Sequence, residues 1–145
     1  MDRKEFIKTC SLACLGGTAF GMLLESCGSI NHYAQATASD NLITLKKTEF
    51  TKMVKGKSVE LKYVIVKTEK LAFPIYLHHH NGAYTALLMK CTHQGCELQA
   101  QGSYLVCPCH GSEFTDDGAV QNPPAEQNLL TYKTSADNEN IYIHL

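Results

Sequence analysis

Two short segments of the chain each place one histidine close to one cysteine. One residue separates Cys91 from His93, two separate Cys107 from His110, and 13 residues lie between His93 and Cys107. Thiolate sulfur and imidazole nitrogen are protein ligands that zinc and iron centres share. The spacing predicts one metal centre built from two loops. The simplest candidate is a tetrahedral zinc site with two thiolates and two imidazoles.

Two further cysteines lie beside these pairs. Cys96 follows the first pair, and Cys109 lies between Cys107 and His110. A plain zinc site gives neither cysteine a role, and the first 26 residues indicate export to a compartment where spare thiols oxidise. A zinc-stabilised binding domain is one alternative, but it leaves the repeated extra cysteine unexplained.

The two motifs together closely resemble the Rieske iron–sulfur family. The resemblance is to the disulfide-containing form found in respiratory and photosynthetic quinol-oxidising complexes and in some periplasmic oxidases. It implies a [2Fe–2S] cluster in which two cysteines bind one iron and two histidines bind the other. On this pattern Cys91 and Cys107 would bind the first iron, and His93 and His110 the second.

The same resemblance implies roles for neighbouring residues. Cys96 and Cys109 would form a disulfide that joins the two loops. The Ser112 hydroxyl would donate a hydrogen bond to a cluster sulfur, which raises the reduction potential. The run Asn122–Ala125 resembles the proline loop that covers the cluster in this family. Phe114 stands where high-potential members carry tyrosine, so one hydroxyl donor is missing.

The rest of the chain is typical of β-strands that would position these loops. Segments rich in β-branched and aromatic residues recur from residue 42 to the C-terminus, and no long helical period is present. The strand candidates are Leu42–Phe50, Val59–Lys67, Ile75–Leu77, Ala83–Met89 and two runs within Leu129–Leu145. We therefore expect an all-β domain. The resemblance implies an antiparallel β-sandwich with a small cluster-binding subdomain of two loops, 91–96 and 107–112.

Three consecutive histidines, His78–His80, precede the dipeptide Asn81-Gly82. Asn-Gly between two strand candidates is a strong signal for a hairpin turn. Successive strand side chains point to opposite faces, so three adjacent histidines cannot converge on one metal ion. We expect them to lie at a solvated hairpin end.

The first 26 residues resemble an export signal. Charged residues 1–8 precede a 13-residue apolar run, Leu12–Leu24, which is too short for a membrane-spanning helix. A buried amphipathic helix is the alternative, although three glycines within the run disfavour it. The run Leu24–Cys27 resembles a bacterial lipobox, which implies cleavage before Cys27 and lipidation of that cysteine. Arg3 lies in a partial twin-arginine pattern, so the sequence leaves Sec and twin-arginine export open.

This interpretation accounts for all seven cysteines. Cys10 and Cys14 leave with the signal, Cys27 carries the lipid, two cysteines bind iron and two form the disulfide. The polar segment 27–41 would be a lipid-anchored tether, and residues 42–145 the Rieske-like domain. The protein would then lie on the outer, periplasmic face of the bacterial cytoplasmic membrane.

Composition excludes several other classes of protein. A length of 145 residues suits one domain, and 44% hydrophobic residues with a formal net charge of -1 exclude a disordered polyion. A single arginine, Arg3, argues against nucleic-acid binding. Eight lysines lie between Lys46 and Lys70, while residues 91–145 carry seven acidic side chains. The acidic part is either ordinary solvated surface or a docking face for a basic redox partner.

The sequence thus predicts an electron-transfer protein that performs no bond chemistry by itself. It would be a subunit or partner of a quinol-oxidising cytochrome complex. An alternative is the electron-relay small subunit of a periplasmic molybdenum oxidase of the arsenite oxidase type. Gln94 bears on this choice, because quinol-oxidising members commonly carry leucine there, packed at the quinone pocket. Its polarity disfavours quinol docking, so a redox protein and quinol both stay open as reaction partners.

Overall fold

The computed structural model describes residues 31–145, which fold almost entirely as β-strands. The strands, in chain order, are β1 (Tyr33–Ala34), β2 (Ala36–Ala38), β3 (Leu42–Lys46), β4 (Thr51–Val54), β5 (Lys57–Glu60), β6 (Tyr63–Val66), β7 (Ile75–His80), β8 (Ala83–Leu88), β9 (Gln99–Ala100), β10 (Tyr104–Val106), β11 (Glu113–Thr115), β12 (Val120–Asn122), β13 (Thr131–Ala136) and β14 (Asn140–His144). A short 3-10 helix, Lys47–Phe50, follows β3. The expected all-β architecture is confirmed.

Eight strands form the main sheet, in the spatial order β1-β6-β7-β8-β13-β14-β3-β2. Neighbouring strands in it are antiparallel except β1, which runs parallel to β6. The hairpin β7–β8 turns at Asn81-Gly82, where both residues have positive φ, as the predicted two-residue turn requires. A four-stranded sheet, β12-β11-β10-β9, follows β8 in the chain, and β4 and β5 form a separate hairpin.

Strand β6 shows how the main sheet separates two hydrophobic cores. Tyr63 and Ile65 pack on one face and Val64 and Val66 on the other, as alternation along a strand requires. The first core, which we call the site-side core, is shared with the four-stranded sheet. The second, which we call the sandwich core, is shared with β3, β14 and Phe50. The four-stranded sheet and the 3-10 helix therefore lie on opposite sides of β6–β8.

The start of the described chain differs from the irregular tether expected over residues 27–41. Residues 33–34 form β1 and residues 36–38 form β2. These strands pair with the edges of β6 and β3, so backbone hydrogen bonds to open sheet edges order a segment whose side chains give no strand signal. The expected signal and Cys27 lie outside the described residues. Among residues 31–145, no helix has the length and apolar character needed to cross a membrane.

The histidine run belongs to a strand rather than to a solvated turn. Strand β7 extends to His80, so the turn consists of Asn81 and Gly82 alone. His78 is 8% exposed, and its Nε2 lies 3.5 Å from Oδ2 of Asp116, which follows β11. The expectation of solvent exposure is wrong for His78, because this residue lies on the face of β7 that the four-stranded sheet covers. His80, at the end of the strand, is exposed as expected.

The expected strand Val59–Lys67 is interrupted. Its first residues belong to β5, which pairs with β4, and β6 begins only at Tyr63. The hairpin turns at Lys55-Gly56, where both residues have positive φ. Strands β5 and β6 are both extended, so the pattern of β-branched residues continues across the link between them. The sequence pattern therefore does not show where one strand ends and the next begins.

Candidate metal centre

The first loop, residues 91–96, is a tight turn closed by two backbone hydrogen bonds. The N–H of Gly95 donates to the carbonyl of Cys91, and the N–H of Cys91 donates to the carbonyl of Cys96, both at 2.8 Å. Gly95 has a φ of +75°, a region that favours glycine because it lacks a Cβ. The loop follows β8 closely and carries Cys91 into the site-side core.

The second loop, residues 107–112, repeats this geometry. The N–H of Gly111 donates to the carbonyl of Cys107 at 2.9 Å, and the N–H of Cys107 donates to the carbonyl of Ser112 at 2.8 Å. The loop connects β10 to β11, which pair with each other and so hold both of its ends. Cys91 and Cys107 therefore occupy corresponding positions in two similar turns.

The four candidate ligands divide into a buried pair of cysteines and an exposed pair of histidines. Cys91 and Cys107 are each 2% exposed, and both are free thiols. His93 and His110 are exposed, with ring centroids 5.0 Å apart and planes almost perpendicular. A metal centre held by these residues would face the protein with its sulfur ligands and solvent with its imidazole ligands.

The environment of Cys107 favours a thiolate whose negative charge is balanced by a bound cation. Burial raises the pKa of the Cys107 thiol, and a hydrogen bond with Cys91 raises it further. The backbone N–H groups of Cys109 and His110 act in the opposite direction, because they donate to the Cys107 sulfur. The buried Cys107 thiol is thus costly to ionise without a cation, whereas a bound metal ion would deprotonate it. The donor set therefore fits a metal centre.

The predicted disulfide between Cys96 and Cys109 is confirmed, and it joins the two loops. The sulfur atoms of these cysteines and of Cys107 all lie within 4.8 Å of one another. A bonded pair offers no thiolate, so the disulfide supports the site without supplying ligands. Among the described residues, the remaining cysteine thiols are those of Cys91 and Cys107.

The distances between the candidate ligand atoms distinguish a site for one metal ion from a site for two irons. Ligand atoms around one tetrahedral zinc ion lie within about 4 Å of one another. Within residues 31–145, no three of Cys91, His93, Cys107 and His110 have ligand atoms that all lie within 4.8 Å of one another. A [2Fe–2S] cluster instead requires a cysteine pair and a histidine pair, one for each iron. These residues fit the cluster better than they fit a zinc ion.

A third segment, residues 123–127, follows β12 and is hydrogen bonded to both loops. The N–H of Ala125 donates to Oγ of Ser112 at 3.0 Å, and Oγ1 of Thr92 donates to the carbonyl of Gln127 at 2.6 Å. The proline run Asn122–Ala125 thus lies against the second loop, next to the site. Thr92 and Gln127 were missed in the sequence, because no local pattern signals a hydrogen bond between such distant positions.

Two other residues singled out in the sequence lie on opposite sides of the centre. Phe114, in β11, is fully buried in the same core as Cys91 and Cys107. Gln94 is exposed and lines an open groove together with His93 and other residues of the first loop and the third segment. The protein side of the centre is therefore apolar, and the solvent side presents both polar and apolar groups.

Comparison with known proteins agrees with this geometry. Residues 41–133 match the family model described as Rieske [2Fe-2S] domain. The cytochrome b6-f complex iron-sulfur subunit of Chlorobaculum tepidum is 32% identical over 69 residues, which cover 46% of this chain and 38% of that protein. The subunit of the same name from Synechococcus sp. strain JA-3-3Ab is 35% identical over 72 residues, which cover 47% and 42%. The match thus spans about two fifths of the length of these relatives.

A solved structure is also similar. The crystal structure of the cyanobacterial plasma membrane Rieske protein PetC3 from Synechocystis PCC 6803 matches with a TM-score of 0.51 and 32% identity. The match covers 58% of this chain and 87% of that chain. The likeness therefore extends from the cysteine and histidine motifs to the fold that holds them.

Proposed function

This chain belongs to the Rieske [2Fe-2S] domain family, and we propose on that premise that it transfers single electrons on the outer face of a bacterial cytoplasmic membrane. Its cofactor is a [2Fe–2S] cluster, which supplies reversible one-electron chemistry when bound. The chain contributes the ligands, an apolar cover and a surface for the redox partner. One observation carries the proposal: a disulfide joins two similar loops that present two buried cysteines and two exposed histidines.

In this proposal Cys91 and Cys107 hold the buried iron, and His93 and His110 hold the iron nearer to solvent. Imidazole is neutral where thiolate is negative, so a mixed ligand set makes the centre easier to reduce than one held by four cysteines. The exposed histidine side gives electrons a short path to a docked partner. The site-side core shields the sulfur side from water.

The ligand assignment has a direct test. Protein from the native host should contain two irons and two acid-labile sulfides per chain, as a [2Fe–2S] centre requires, and should give a Rieske-type EPR signal when reduced. His93→Ala and His110→Ala should each lose that signal. His144→Ala is the matched control, because His144 is an exposed histidine in β14, and it should keep the signal. Stoichiometric zinc in place of iron would overturn the proposal.

The proposed partner is a quinol-oxidising cytochrome complex. Support comes from the relatives, which are named cytochrome b6-f complex iron-sulfur subunits. The open groove beside His93, which Leu130 also lines, offers a docking surface next to the exposed ligands. The side chain of Gln94 is polar and exposed where quinol-oxidising members of the family commonly carry leucine. It favours a second candidate, the electron-relay small subunit of a periplasmic molybdenum oxidase.

Purification with the native partner distinguishes these candidates. A tagged chain can be isolated from native membranes solubilised in detergent, and haem b and molybdenum can be measured in the purified complex. Haem b in proportion to the chain supports the cytochrome complex. Molybdenum without haem b supports the oxidase.

The proposed attachment to the membrane depends on residues 1–26 as an export signal and on lipidation of Cys27. The lipobox-like run Leu24–Cys27 supports it, as does the similarity to PetC3, which is a plasma membrane Rieske protein. Mass spectrometry of the chain from its native host should find a lipid-modified Cys27 at the N-terminus. An N-terminus still at Met1 would contradict it.

A further inference from the structure

The hairpin β4–β5 extends from the domain as a separate pair of strands. Among the described residues its two strands pair only with each other, and seven of their eight residues are exposed. Met53, Val54 and Val59 are 66%, 44% and 43% exposed. A two-stranded hairpin is marginally stable in water, and clustered exposed apolar side chains often mark an interaction surface.

Three lysines lie among these apolar side chains. Lys52 is opposite Val59 and Val54 is opposite Lys57, so one face of the hairpin carries two lysines and two valines. Lys55 lies at the turn. Within residues 31–145, none of the three lysines has a carboxylate at ion-pair distance. The hairpin therefore presents uncompensated positive charge together with apolar groups.

We propose that this hairpin docks on an anionic phospholipid surface. Its lysines meet the lipid phosphates, while Val54 and Val59, on the same face as Lys52 and Lys57, enter the headgroup layer. A protein partner matches the hairpin less well, because protein interfaces are depleted in lysine and their strongest contacts come from tryptophan, tyrosine and arginine. Residues 51–60 contain none of these three residue types.

The path of the chain places the hairpin beside the first described residues. Strand β1 runs parallel to β6, so both begin at the same end of the main sheet. The link from β5 to β6 passes through Leu61, whose N–H donates to the carbonyl of Phe50, and the Tyr63 hydroxyl donates to Oδ1 of Asn31. Asn31 therefore lies at the end of the sheet from which the hairpin extends. Cys27 is four residues earlier, a reach of at most about 14 Å.

Docking through the hairpin leaves the candidate metal centre accessible. Phe50, at the base of the hairpin, packs in the sandwich core, with its ring centroid 5.5 Å from that of Tyr84. Cys91 and Cys107 belong to the site-side core, on the opposite face of β6–β8. A membrane on the hairpin side and a redox partner on the histidine side can thus be bound at the same time.

The test uses the full chain with Cys27→Ser, which removes the proposed lipid, so this inference and the proposed anchor can fail separately. Binding is measured by co-sedimentation with vesicles of phosphatidylcholine alone and of phosphatidylcholine mixed with phosphatidylglycerol. We expect binding to the anionic vesicles that weakens with salt. Absence of binding, or equal binding to both kinds of vesicle, would overturn the proposal.

A pair of charge-matched variants locates the contact. Lys52→Gln/Lys57→Gln should weaken binding to the anionic vesicles about 25-fold, since each lysine near such a surface contributes a factor of about five. Lys67→Gln/Lys133→Gln removes the same charge at exposed sites away from the hairpin and should leave binding unchanged. Equal losses in both variants would show attraction by net charge alone and overturn the proposal. Far-UV circular dichroism verifies that each variant is folded.

A fluorescent reporter gives an independent measurement. The chain has no tryptophan, so Val54→Trp introduces a single one on the lysine-bearing face of the hairpin. Its emission should shift to the blue on addition of anionic vesicles, whereas Leu130→Trp, at an exposed position beside the metal centre, should not shift. No shift at the hairpin would overturn the proposal. If the lysine pair instead affects electron exchange with an acidic flavodoxin and not vesicle binding, the hairpin docks protein and the proposal fails.

Discussion

The backbone N–H of Ala125 donates a hydrogen bond to Oγ of Ser112 at 3.0 Å, and both residues are buried. A hydroxyl can accept hydrogen bonds and also has one hydrogen to donate. This contact uses Ser112 as an acceptor, so its hydrogen stays free for a second partner. The arrangement agrees with the predicted donation to a cluster sulfur, and it links the third segment to the second loop through one side chain.

Ser112→Ala should therefore lower both the reduction potential and the stability. The potential falls because a donor to sulfur is lost. The free energy of unfolding should fall by about 1–3 kcal/mol, because the Ala125 N–H is left buried without an acceptor. Redox titration and denaturant unfolding measure the two effects. Ser135→Ala, which removes an exposed hydroxyl in β13, is the control and should change neither. A Ser112→Ala protein with an unchanged potential would refute donation to sulfur.

We expect the disulfide to stabilise the protein without being required for cluster binding. Cys96→Ser/Cys109→Ser should still bind the cluster but lose about 3 kcal/mol of unfolding free energy, because the bridge restricts the unfolded chain. Both cysteines are changed together, since a single replacement leaves a free thiol close to the Cys107 sulfur. Thermal unfolding and the rate of loss of visible absorbance measure the effect. If both match the parent protein, the disulfide has no such role.

Phe114→Tyr should raise the reduction potential. Phe114 is fully buried in the core that contains Cys91 and Cys107, so a hydroxyl at its ring end would add a donor near the cluster sulfurs. Tyr142→Phe is the matched control. It removes a hydroxyl in β14 that donates a hydrogen bond to Asp137, and it should leave the reduction potential unchanged. A folded Phe114→Tyr protein with the parent potential would show that the side chain does not reach sulfur.

His78 should make the domain less stable in mild acid. Burial lowers the pKa of His78, and this effect exceeds the attraction of Asp116, whose carboxylate oxygen lies 3.5 Å from Nε2. Below the unfolded pKa of about 6.5, the unfolded chain therefore binds a proton more readily than the folded one. The contribution of neutral His78 is present above about pH 6.5 and is lost as the pH falls through the lowered folded pKa.

Thermal unfolding between about pH 7 and pH 5 tests this prediction. His78→Gln should show a smaller fall in Tm with acidification than the parent protein. His144→Gln, in which an exposed histidine is replaced, should keep the parent's dependence. Equal dependence in the parent and the His78→Gln variant would contradict it.

The sequence alone identified the two loops and the class of fold. Each loop is one turn that ends in a glycine with positive φ, so the distance from Cys91 to Gly95, or from Cys107 to Gly111, is a local property that spacing reveals. Strand alternation is equally local, and the family resemblance supplied the pairing of the cysteines outside the ligand set. These features could be predicted because they depend on neighbours along the chain.

Only the tertiary structure decided which surfaces meet. His78 is buried because the four-stranded sheet, with Asp116 in one of its loops, covers its face of β7. Thr92 bonds to Gln127 because the third segment returns to the first loop. Residues 33–38 form strands because the edges of β6 and β3 offer them backbone partners. Each outcome depends on groups far apart in the chain, and the side-chain pattern of a segment carries no information about which distant surface will cover it.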